Sequence, residues 1–228
     1  MKCIKLLLWS VLAIPGMGQA FVISGSLTQG GYTYSAQADI TQIGNQLQIV
    51  LTNTANVAAP HNGQLLCGFF WDMSGDPTLT PDAGYPVMTD GTDGYFPVSG
   101  SGVLSEEWYF KNQSGGANNA HYGIGAVGYG FFGANDAFAG GHHPLGGGGD
   151  YGIAPDAGFS GTFSPVIHNS LTFRLTLPQS YTLSQSAMSN FSFQYGTDLS
   201  ETNVPVPEPA SLVAIAIGAA ALIRRRRA

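Results

Sequence analysis

Basic side chains are almost absent from the interior of this sequence. Lys2 and Lys5 open it, Arg224, Arg225, Arg226 and Arg227 close it, and only Lys111 and Arg174 lie between. Residues 21 to 206 carry thirteen acidic and two basic side chains, a formal charge of −11. Such a surface repels nucleic acid and anionic membranes, so nucleic acid is not an expected partner. Charged residues of both signs make up 10% of the chain, against about 25% in an average soluble domain. Cysteine is nearly missing too. Cys3 precedes the first hydrophobic stretch and is not placed like a lipidated cysteine, which leaves Cys67 alone and excludes a disulfide scaffold. Its setting, Leu65-Leu66-Cys67-Gly68-Phe69-Phe70, predicts a buried thiol. Outside the two ends there is no long segment of helical period and no fixed-period repeat. Disorder is excluded by the 44% of hydrophobic and 11% of aromatic residues, which fall in alternating runs that can form a core.

The two ends have separate characters. Lys2 and Lys5 precede an apolar stretch from Leu6 to Ile14, a Pro15-Gly16 break, and the small residues of Gly18-Gln19-Ala20. That layout predicts a secretory signal helix over residues 1–20, cut by signal peptidase between Ala20 and Phe21. Residues 204–228 form the other end. Val204-Pro205-Val206-Pro207-Glu208-Pro209 leads into fourteen uncharged residues, Ala210 to Ile223, and then into Arg224 to Arg227. A fourteen-residue helix is roughly 21 Å long, short of the roughly 30 Å hydrocarbon core, which predicts a marginal and transient anchor in the inner membrane. The arginines hold their end in the cytoplasm, so the rest of the chain faces outward. Two prolines around Glu208 lack backbone N–H groups, which keeps Pro207-Glu208-Pro209 out of helix and sheet and open to a processing enzyme.

The order of Pro207-Glu208-Pro209, a short hydrophobic helix over 210–223 and an arginine cluster over 224–227 resembles the PEP-CTERM sorting domain. The resemblance implies a Gram-negative substrate cut near the PEP motif by an exosortase, a membrane transpeptidase-like cysteine protease, and then delivered to the cell surface or beyond.

Between the ends, residues 21–203 read as one domain of strands. Tyr34, Ala36, Ala38 and Ile40 alternate with polar residues, Gly44-Asn45 makes a turn, and Leu47, Ile49 and Leu51 alternate again. Leu171 to Leu177 and Phe191 to Tyr195 repeat the pattern, Leu65 to Trp71 is a continuous apolar run expected of a strand covered on both faces, and Leu104 to Phe110 resembles an outer strand. The expected fold is all-β: an antiparallel β-sandwich, jelly-roll-like, with a signal helix before it and a short hydrophobic helix after it. Glycine concentrates between Gly115 and Gly161, where Gly123 to Gly130 can still form a strand and Gly146 to Gly149 makes a loop. The segments Leu47 to Thr54, Tyr122 to Gly125, Asn169 to Phe173 and Phe193 to Thr197 resemble the shared segments of one family of exosortase-dependent surface proteins. That resemblance implies surface delivery and no catalytic residues.

Catalytic constellations are weak. Ser160 in Gly158-Phe159-Ser160-Gly161-Thr162 lacks the second glycine of a nucleophile elbow. Cys67 sits among apolar neighbours that keep a thiol protonated. Glu106 and Glu107 are adjacent, so in a strand they point to opposite faces and cannot pair as glycosidase carboxyls. His61, His121, His142, His143 and His168 lack zinc-site spacing. Calcium fits better, through Asp72 and Asp76 or through Asp90 and Asp93 of Asp90-Gly91-Thr92-Asp93-Gly94, but neither pair fits the twelve-residue calcium loop and both read as Asx-type turns, so no cofactor is expected. Trp71, Trp108 and Tyr109 serve either as core or as a sugar-stacking platform. The leading expectation is therefore an exported surface or extracellular-matrix protein with no catalysis of its own, partnered by signal peptidase, an exosortase and extracellular polysaccharide. A carbohydrate-binding module is the alternative, and a secreted hydrolase comes third.

Overall fold

In the computed structural model, the described residues are 19–82, 87–88, 108–126, 152–161, 166–196 and 199–207. They build two β-sheets around one core. The first opens with β1 (Ala20–Gln29), β2 (Tyr32–Ile43) and β3 (Gln46–Asn53). Gly30 and Gly31 join β1 to β2 with φ of 60° and 81°, the backbone that a two-residue hairpin turn with the sheet's twist demands. Ten consecutive pairs follow without a shift, from Gln29↔Tyr32 to Ala20↔Thr41. The expected hairpin of β2 and β3 is present, from Ile43↔Gln46 to Ala36↔Asn53.

The second sheet is built on β4 (Leu66–Met73). The short pieces β5 (Thr80–Pro81) and β6 (Val87–Met88) return to the first sheet. Next come β7 (Trp108–Asn112), β8 (Tyr122–Ala126), β9 (Ile153–Ala154) and β10 (Ile167–His168) of the second sheet. The chain crosses once more to β11 (Ser170–Thr176), which pairs β3 in the first sheet, and ends with β12 (Met188–Tyr195) and β13 (Asn203–Pro205) in the second. β12 flanks β4 on one side and β8 flanks it on the other. β13 forms the margin beyond β12.

The two-sheet, strand-rich architecture matches the sequence expectation, with two differences. β1, β2 and β3 lie side by side in chain order, a meander and not the interleaved Greek keys of a jelly roll. The pairing is also not antiparallel throughout, since β9 and β10 run parallel. The expected signal helix and the C-terminal hydrophobic helix lie outside the described residues.

Alternation explains the core. The inward residues of β2 and β3, from Tyr34 and Ala36 through Ile40 to Leu47 and Leu51, are buried, while their neighbours are half-buried. β4 is buried on both faces, as its apolar run predicts. One face stacks Phe69 on Trp71 and on Phe193, with centroids 5.2 Å and 5.1 Å apart. The other face places Phe70 beneath Gly116. The sheets meet where Tyr34 packs edge-on against Tyr195 at 5.1 Å and where Trp108 meets Phe173 at 5.5 Å. Burial of each such aromatic stabilises the fold by up to roughly 3 kcal/mol. Asn53, at the end of β3, crosses the core's rim: its side-chain amide donates to the Ile153 carbonyl at 2.8 Å and its oxygen accepts from the Ala55 amide at 3.2 Å. That buried pair ties β3 to β9 of the other sheet.

Candidate functional site

The stretch expected to be processed, Pro207-Glu208-Pro209, directly follows the last described strand. Phe193 pairs with Val204, and the Val206 amide donates to the Phe191 carbonyl at 2.9 Å. The Tyr195 amide donates to Thr202 at 2.9 Å. Because even-numbered residues of this strand bond to β12, Pro205 turns its nitrogen away from the ladder, and its missing N–H costs no hydrogen bond. A sequence that looks like a proline-rich tail is therefore the sheet's last strand. Asn203 reinforces it, its amide donating to the Gln194 side-chain oxygen at 3.1 Å.

Packing from the first sheet holds the same strand. Val204 is fully buried, and a methyl group placed on Gly25 of β1 would stand 3.0 Å from the Val204 Cγ1, 3.1 Å from the Val206 Cγ2 and 3.3 Å from Phe193. Gly25 thus permits a close approach that any larger residue would obstruct. β13 spans the expected boundary between residues 203 and 204, and the folded domain continues through Val206. One residue later Pro207 is exposed. Glu208, Pro209, the stretch 210–223 and Arg224 to Arg227 lie outside the described residues.

The other end of the chain enters at the same corner. Gln19 accepts from the Gln42 amide at 3.0 Å, and Ala20 is exposed at the first position of β1. Phe21 is half-buried and packs on the core. Cutting between Ala20 and Phe21 would remove one pair, Ala20↔Thr41, and leave nine.

A cleft of about 280 Å³ opens beside β13, lined by Gln29, Tyr34, Gly63 and Ser200 to Asn203. Its walls are mostly polar, and its one aromatic, Tyr34, is 8% exposed, which leaves no ring face for a sugar to stack upon.

The remaining sequence candidates resolve into structure. Trp71 and Trp108 are buried in the core and form no stacking platform. Cys67 is buried with its sulfur beside Gly152, which leaves no approach for a substrate. Ser160 sits in an exposed turn whose amide donates to the Ala59 carbonyl at 3.0 Å. His61 opens a short turn with its amide bonded to the Gln64 side chain at 3.0 Å, and His168 contacts the Asp156 carbonyl at 3.2 Å. Asp72 accepts from the His121 amide at 2.6 Å and from the Asn190 side chain at 3.0 Å, while Asp76 lies 3.6 Å from the His121 ring. Both Asp72 oxygens are thus engaged in tying β4 to β12 and to the turn before β8. Among the described residues no three histidine, cysteine, aspartate or glutamate side chains gather to hold a metal. Asp90 and Asp93, Glu106 and Glu107, and His142 and His143 lie outside the described residues.

Among the described residues the perturbed titrating groups are tyrosines of the core. Burial, with Tyr34 beside it, pushes the Tyr32 phenol up to about 12, and burial raises Tyr122 and Tyr195 further. These groups stay protonated and serve packing.

The segments that resemble exosortase-dependent surface proteins fall on β3, β8, β11 and β12 and supply core positions. Comparison with curated proteins and with solved structures finds no match. Against family models, residues 205–227 match the PEP-CTERM protein-sorting motif. Its first residue, Pro205, is the last of β13. The chain therefore carries a PEP-CTERM sorting motif rooted in the final strand of its sandwich, which makes it a substrate for exosortase-dependent sorting.

Proposed function

We propose that the mature domain is a non-enzymatic surface or matrix component, set free at Phe21 by signal peptidase and cut near Pro207-Glu208-Pro209 by the exosortase. The observation that carries this reading is how close the last described strand comes to the motif. Val206 is held by a backbone bond to Phe191, and Pro207 is exposed immediately after it. No linker separates the folded body from Pro207, where the Pro207-Glu208-Pro209 stretch begins. Proline at both flanks keeps that stretch from joining the sheet that ends before it. Downstream, Ala210 to Ile223 serves as a transient anchor whose cytoplasmic end is fixed by Arg224 to Arg227.

A carbohydrate-binding role in the matrix is the second reading. The polar cleft beside β13 favours it, whereas Trp71 and Trp108, two of the rings expected to form a stacking platform, are buried. Replacing Pro207-Glu208-Pro209 by alanines tests the sorting role. The variant is expected to accumulate in the inner membrane as an uncut precursor. Normal processing and delivery of that variant would overturn the reading.

A further inference from the structure

β1 ends its sheet, and its outer edge has no backbone partner among the described residues. The two-residue Gly30-Gly31 turn makes Gln29↔Tyr32 a hydrogen-bonded pair, so the odd residues of β1 bond to β2. The amides and carbonyls of Val22, Ser24, Ser26 and Thr28 consequently point outward. Natural sheets protect such an edge with lysine, proline, a bulge or a short strand. β1 has none of these: Ala-Phe-Val-Ile-Ser-Gly-Ser-Leu-Thr-Gln is ten residues long, uncharged, free of proline and unshifted in register. Val22 and Leu27 are also 53% and 37% exposed.

We propose that this edge is an interface for a second copy of the same chain, with two β1 strands joining antiparallel across a two-fold axis into one continuous sheet. Charge does not oppose a second copy along this edge, because β1 is a ten-residue strip without any charge and its pairing sets no like charges opposite one another. The sequence of the strip is self-complementary. With the axis at Gly25, residues on the same face oppose one another: Ile23 meets Leu27 of the second copy and Val22 meets Thr28. The outward amides of Ser24 and Ser26 then pair reciprocally, as an isologous contact requires. Joining the edges removes the exposed part of Leu27 from water and satisfies the unpaired ladder. The interface does not depend on how the C-terminal motif is processed.

The test uses the exported chain recovered from cells, in sedimentation equilibrium across a dilution series from about 1 μM to about 1 mM. A monomer–dimer equilibrium is expected. Ser24→Pro removes an outward N–H and no bond to β2, so it should keep the melting temperature of the monomer. It deletes two reciprocal bonds and should weaken association on the order of 30-fold. Should Ser24→Pro fail to fold, Val22→Lys with Ser26→Lys adds charge to exposed outward side chains and should dissociate the dimer equally. Residue-resolved hydrogen exchange completes the test: the amides of Val22, Ser24, Ser26 and Thr28 should be protected at high concentration and exchange freely on dilution. A monomer at every concentration overturns the proposal. Dimers that survive both variants overturn it as well, and so does protection that ignores dilution, since the chain would then cover this edge itself.

Discussion

Gly25→Val tests whether the sorting motif is rooted in the fold. The glycine lies opposite Val204, Val206 and Phe193, and its first added carbon would already stand 3.0 to 3.3 Å from all three. Valine adds two further methyl groups into the same space. Either β1 lifts from β13 or the two valines are pushed off their rotamers, and overpacking of this kind costs about 1 to 3 kcal/mol. The greater strand propensity of valine returns part of that, up to about 1 kcal/mol. A net loss of about 1 to 2 kcal/mol lowers the melting temperature of a domain of this size by roughly 2 to 8 °C. Because the strained atoms belong to Val204 and Val206, the segment leading to Pro207 should also become sensitive to limited proteolysis before the rest of the sandwich. Ser24→Val is the control, since Ser24 is exposed on the outer face and its replacement should shift stability by less than about 0.5 kcal/mol. Equal melting temperatures for the two variants, with Val204 to Pro207 still protected, would refute the packing argument.

Two further outcomes are expected. Asp72→Ala leaves the His121 amide and the Asn190 side chain without their acceptor, which should lower the denaturant midpoint by the equivalent of about 1 to 3 kcal/mol, with Asp72→Asn losing less. Tyr32 is raised from 10.0 to about 12, so the stability it contributes is complete below the unfolded value and is lost as pH climbs through the folded one. Phenolate absorbance during an alkaline titration should therefore show this group ionising late, and unfolding should accompany its ionisation. A Tyr32→Phe variant with an unchanged alkaline transition would count against the assignment.

Much of the sandwich was legible because its strands have one wet and one dry face. Leu47, Ile49 and Leu51 of β3 and Leu171, Phe173 and Leu175 of β11 alternate cleanly, and both strands fall where that alternation sets them. β4 was legible for the opposite reason, as an apolar run buried on both sides. β1 escaped because an edge strand at a corner buries little: of its ten residues only Ile23 is fully buried, and Phe21-Val22-Ile23 blurs the alternation. Gly30-Gly31 was the signal that could have revealed it. β13 escaped because prolines at 205 and 207 look like the end of structure, although a margin strand accepts proline wherever the nitrogen points outward. The Asp72 network could not be read at all, since its partners lie 49 and 118 residues away. What was legible of the function is the short motif itself, whose three parts are adjacent in sequence and need no fold to be recognised.

The mass of the chain isolated from the cell surface decides whether it is processed at both ends. That chain is expected to begin at Phe21, to retain Val206 and with it the whole of β13, and to lack Arg224 to Arg227. A surface chain that still carries the four arginines would contradict exosortase processing. One that ends before Val204 would contradict the placing of the motif beyond an intact last strand.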